Sequence, residues 1–167
     1  MSPILAYVLA DDGQAALQAA EQFALLLSLM LLFSYCWFLQ EVLLDLPAED
    51  RRAAPWLVWL MFLPLVGPVF AWLLLPFRIP ASFAGFFARQ GENEFGDCGR
   101  RIGLIAMIVM TLAAVLVQAG LSTYGGAAAL LGLLLILRYT WLLMRMRRRV
   151  RQIHRLGAAR EALGRPR

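Results

Sequence analysis

The sequence predicts an all-α polytopic membrane protein. It should be a bundle of four transmembrane helices with a Pro-broken second helix and an amphipathic basic C-terminal extension. Three observations predict it. Hydrophobic residues make up 61% of the chain and charged residues 16%, and the mean hydropathy is +0.67, well above a soluble globular domain. The charges gather outside long apolar runs. One such run, residues 56–77, has neither a charge nor a polar face and is long enough to cross a bilayer at about 1.5 Å per residue.

Residues 2–10 are apolar but too short to span, and Asp11, Asp12 and Gly13 predict a break and a helix start. Residues 1–20 lack the basic n-region of a cleavable signal peptide. The first span is expected over about 22–42. Glu41 and Asp45 mark its far end and Pro47 closes it. These two carboxylates sit one turn apart and suggest either a cation site or a wet interface near Arg51 and Arg52.

The second span is expected over about 56–77. Pro64 and Pro68 lie near its middle with Gly67 between them, so the Leu60 and Pro64 carbonyls lose their donors. Beyond it, Ile79, Phe83, Phe86 and Phe87 fall at helical spacing, which predicts an interfacial helix with its aromatics in lipid. Residues 91–99 read as a polar loop. The third span is expected over about 102–121, with Gly103, Ala106, Ala113 and Ala114 on a small-residue side. The fourth, over about 125–144, carries Gly125, Ala129 and Gly132, so the two should close into a tight antiparallel hairpin.

From Arg145 the tail is strongly basic, while Met146, Val150, Ile153 and Leu156 keep a helical stripe. The helix should therefore leave the membrane and rest on anionic headgroups through Arg145, Arg147, Arg148, Arg149 and Arg151. A basic juxtamembrane tail signals topology and lipid rather than nucleic acid. Residues 1–150 then form the transmembrane domain and 151–167 a basic cytoplasmic tail. With four crossings, the N-tail, residues 78–101 and the C-tail share one side. They carry every exposed Arg except Arg51 and Arg52, which predicts both termini in the cytoplasm of a bacterial inner membrane. The acidic, Arg-free N-tail argues the other way.

The order of features resembles a family of bacterial four-span inner-membrane proteins with a P-x-x-x-W-L-x-x-x-P motif in the second span. The resemblance rests on Pro47, Ala48 and Glu49; on Trp59, Leu60 and Pro64; and on Arg78 and Ser82. It continues through the run from Asp97 to Leu104 (DCGRRIGL) and through Tyr139 and Trp141. It covers residues 21–150 and implies the four-span architecture; the family has no established activity to carry over. Gly67 stands where that family often has Asn, so any polar role of the Asn is missing.

Candidate chemistry is sparse. Arg138 lies inside the fourth span. It is either a buried cation with an anionic partner or a snorkelling side chain, with Glu21 as its nearest expected carboxylate. Pro64, Gly67 and Pro68 suggest either a broken-helix ligand site or a kink whose freed carbonyls are met by Ser28 or Thr111. Cys36 should be inert in its span, whereas Cys98, beside Arg100 and Arg101, is expected to be exposed and somewhat reactive. With one His and two Cys, no disulfide framework, metal site or haem site can be assembled, so no cofactor is expected. No nucleophile has a base spaced to activate it. These features predict a non-catalytic accessory or assembly partner, associating with other membrane components or with further copies of itself. The alternative is a small oligomeric transporter or channel using the second-span break.

Overall fold

The computed structural model describes residues 3–92 and 94–163, with side chains over 18–92 and 94–157. Every regular element among them is helical. Four stretches are long and apolar enough to cross a membrane: Gln18–Leu44, Gly67–Arg89, Arg100–Gln118 and Ser122–Gly157. The all-α class with four such helices is therefore the one the chain adopts.

Two compact units divide the chain, residues 1–37 and 38–167. The first belongs to helix α1 (Pro3–Leu44), which runs without a break through the Asp11–Gly13 stretch where one was expected. A helix this long absorbs the roughly 1 kcal/mol that a single interior Gly costs. Ser28 and Ser34 each donate to the carbonyl one turn back, which satisfies both hydroxyls inside the helix. Phe23, Leu26 and Met30 are exposed.

The second unit begins with the end of α1, where Leu39, Val42 and Leu43 are fully buried. Arg51 closes that helix: its guanidinium donates to the Leu44 and Leu46 carbonyls, two of the acceptors a helix C-terminus leaves open. A 3-10 helix then covers Pro55–Phe62. After a four-residue turn come α2 (Gly67–Leu73), a π-helical turn (Leu74–Arg78) and α3 (Ile79–Arg89), in unbroken succession.

The expected second span over 56–77 is thus corrected. The Pro break is real, but it stands at the start of the long helix rather than at its middle. Pro68 occupies the first helical turn, where its missing N–H has no partner to lose. Leu63 N–H takes the Leu60 carbonyl, so neither Ser28 nor Thr111 is needed there. Pro55–Phe62 and the following helix form a hairpin whose open ends meet: Arg52 N–H donates to Ser82 Oγ at 2.8 Å, and the Arg78 guanidinium donates to the Arg52 carbonyl.

The π turn has a local cause. Ile79 N–H donates to Leu74 O, five residues back, and Pro80 has no N–H to offer Leu75 O. The Tyr139 hydroxyl supplies the missing donor, at 2.6 Å and fully buried. Gly103 permits the approach, since a Cβ there would lie 3.1 Å from Leu75 O and 3.3 Å from the Tyr139 ring.

Helices α4 (Arg100–Gln118) and α5 (Ser122–Leu163) form the tight antiparallel hairpin. A Cβ on Gly125 would lie 2.5 Å from Val117, and one on Gly132 2.5 Å from Met110. Helix α5 continues past residue 144, as the basic extension was expected to do, and one helix runs from Ser122 to Leu163. Its stripe of Tyr139, Leu143, Met146 and Val150 is core, fully or almost fully buried, and only Leu156 of the expected headgroup-facing stripe is well exposed. Phe83, Phe86 and Phe87 are also buried rather than in lipid. Phe86 packs edge-on against His154.

Candidate functional site

The charged end of the second unit is held by ion pairs between segments far apart in sequence. Arg147 reaches both Glu41 and Asp45, and Arg151 reaches Asp45 at 3.0 Å. Arg149 meets Glu92 through two nitrogens, at 2.6 and 3.0 Å, and Arg145 meets Glu94 at 3.0 Å. Arg89 closes the ring on Glu49 and the buried Asp50. The end of α1, the 45–54 loop, the 90–99 loop and the basic part of α5 therefore share one end.

Of the five arginines expected to touch headgroups, Arg145, Arg147, Arg149 and Arg151 are paired with carboxylates inside the chain; Arg148 alone is exposed without a partner among the described residues. Glu41 and Asp45 form neither a cation site nor a pair with Arg51 and Arg52. Four full crossings would put Asp45 and Arg151 at opposite interfaces, whereas the two side chains form an ion pair.

The other expected site residues are not brought together. Arg138 is exposed on α5 and has no partner among the described residues; Glu21, also exposed, belongs to the other unit. Gly67 is buried with its Cα against the Met61 carbonyl, where any Cβ would overlap the oxygen. Pro64 and Pro68 are exposed beside it. Cys98 is buried, 3% exposed, rather than reactive. Burial and then the Asp97 charge push its thiol up to about 11.

A different group does converge. Ser82, fully buried, accepts from Arg52 N–H and donates to the Arg78 carbonyl, tying the 50–52 segment to α3. Asp97 accepts from the N–H groups of Gly99 and Arg101 and so starts α4. Gly99, at φ +84°, leaves room for the Tyr139 and Leu142 side chains. Arg100 lies over the Phe77 ring at 5.5 Å. Arg52 and Arg100 thereby line one groove of about 530 Å³ above a floor of Ala81, Ala84 and Gly85. Sequence reasoning did not assign these arginines to a shared site. The signal that pointed to them was the spacing of Arg78, Ser82, Asp97 and Arg100, which carried the family resemblance.

Comparison with protein-family models, curated proteins and solved structures finds no match to this chain.

Proposed function

We propose that the chain works through its surfaces in a bacterial inner membrane, as a non-catalytic accessory or assembly partner of other membrane components. The observation that carries this reading is how its polar side chains are used. The hydroxyls of Ser28, Ser34, Thr111 and Thr140 each donate to a carbonyl one turn back. The basic end is tied to carboxylates, and Trp59 donates to Gln40 at 2.5 Å. The outward surface over the spans is apolar, including Phe23, Leu26 and Met30 on α1 and Leu130, Leu134 and Leu137 on α5. A solute path through the second-span break has no observation in its favour.

The sidedness that fits best is one in which residues 55–89 dip into the membrane and return. Eight residues of 3-10 helix rise about 16 Å, roughly half the hydrocarbon thickness. With the dip, every described Arg of residues 38–157 except Arg138 lies on one side, and the 119–121 turn lies on the other. That distribution fits the positive-inside rule better than four crossings do and makes the basic end cytoplasmic.

Purification of the full chain from native membranes in mild detergent tests the accessory role. Partner subunits should co-purify. Replacing Phe23, Leu26 and Met30 by Ala should release them while the chain stays folded. Partner-free protein that moves ions or solutes in liposomes would contradict the reading.

A further inference from the structure

We propose that the groove between α3 and the start of α4 holds the phosphate-bearing headgroup of an anionic phospholipid, contacted by Arg52 and Arg100. The proposal rests on the chain being membrane-embedded. It concerns a different place from the α5 tail, and charge balance is what separates the two. Arg145, Arg147, Arg149 and Arg151 already face carboxylates, as does Arg89. Arg52 and Arg100 face none among the described residues.

The flanking groups add to this imbalance. Among the described residues the Arg78 guanidinium bonds only the Arg52 carbonyl, and the Arg101 guanidinium, 90% exposed, lies 3.9 Å from Asp97. Asp97 is the one carboxylate lining the groove, and both its oxygens accept backbone N–H groups. Asp50, behind the Gly85 floor, is neutralised by Arg89. Arg52 and Arg100 thus line a space with one engaged carboxylate, and Arg101 lines the groove beside it. A guanidinium pair of this kind suits a phosphate diester.

Shape and position select a lipid as the source of that phosphate. A second groove of about 440 Å³ shares Asp97 and Arg100 and continues along α4 to Leu104 and Ile105. Ile105 and Ile108 are 49% and 48% exposed, and Phe77 is 38% exposed beneath Arg100. The cations therefore sit where the charged end meets the outward apolar flank of α4. A headgroup bound there would have its acyl chain laid against that flank. The small residues Ala81, Ala84 and Gly85 keep the floor open.

The test uses the full chain in phosphatidylcholine nanodiscs titrated with phosphatidylglycerol. Bound lipid is counted by native mass spectrometry. Arg52→Gln with Arg100→Gln should weaken phosphatidylglycerol retention about thirtyfold, while Arg148→Gln leaves it unchanged. Arg52→Lys with Arg100→Lys should retain most of it. A photo-crosslinking phosphatidylglycerol on the unmodified chain should attach within residues 77–85 or 97–105, which needs no variant to fold. Equal retention by the Gln pair, crosslinks confined to residues 145–152, or displacement by millimolar inorganic phosphate would overturn the assignment. The last result would mark a free-anion site. Flotation with pure phosphatidylcholine vesicles reports membrane embedding separately, so its failure would sink the membrane reading itself.

Discussion

Gly67 and Pro68 are neighbours with opposite tolerances. A methyl on Gly67 meets the Met61 backbone oxygen, which cannot swing away, so Gly67→Ala should cost about 1–3 kcal/mol of stability. Pro68→Ala restores an N–H in the first turn of α2, where no intrahelical acceptor waits, and should shift stability by less than about 1 kcal/mol. Thermal unfolding in a fixed detergent reads both, and the reverse order would contradict the hairpin geometry. Tyr139→Phe removes the donor to Leu75 O and leaves a buried carbonyl unmet, for a loss of about 1–3 kcal/mol in the same assay. Cys98 supplies a pH test. Its raised thiol pKa keeps it protonated, so at pH 8 the thiolate fraction is about a hundredfold below that of an ordinary cysteine. Maleimide should modify Cys98 slowly in the folded chain, faster as pH climbs toward 11, and readily after unfolding. Rapid labelling at pH 7 would contradict its burial.

At the scale of elements, the ion pairs fix how α5 meets the rest of its unit. Asp45 is the best probe, because it is 22% exposed and serves both Arg147 and Arg151. Asp45→Asn leaves Arg151 without its charge partner and Arg147 with Glu41 alone. It should expose residues 151–157 to trypsin several times faster and lower stability by about 1–3 kcal/mol. Glu92→Gln should cost less, since Arg149 is 40% exposed and the pair is screened by solvent. The sequence made the helices legible because hydropathy and period are local properties. Small-xxx-small spacing likewise exposed the hairpin of α4 and α5, because Gly125 and Gly132 face side chains on an adjacent segment. The pairing of Asp45 with Arg147 was not legible, being separated by a hundred residues and set by chain direction. The proline pair was misplaced for a related reason. An apolar run gives no sign of where the chain reverses, and Pro fits a first turn as well as it breaks an interior. The candidate groove was visible only as motif spacing, because its arginines come from three segments that the Ser82 hydroxyl and the Tyr139 hydroxyl bring into register.

At the scale of the whole second unit, the charges of residues 38–157, apart from that of Arg138, gather at one end. Glu41, Asp45, Glu49, Asp50, Glu92 and Glu94 all lie with the arginines, while the 119–121 turn carries no charge. The proposed hairpin of residues 55–89, entering the membrane and returning, fits this distribution. The discriminating segment is the 45–54 loop, which four crossings would leave outside and the dip leaves inside. Single cysteines at Ala48, Gln90, Ser122 and Gly157, all exposed, can be placed in a chain carrying Cys36→Ala and Cys98→Ala. Labelling of spheroplasts with a membrane-impermeant maleimide should then modify Ser122→Cys from outside. Ala48→Cys, Gln90→Cys and Gly157→Cys should react only after the membrane is opened. Labelling of Ala48→Cys in intact spheroplasts would contradict the one-sided arrangement and restore four crossings.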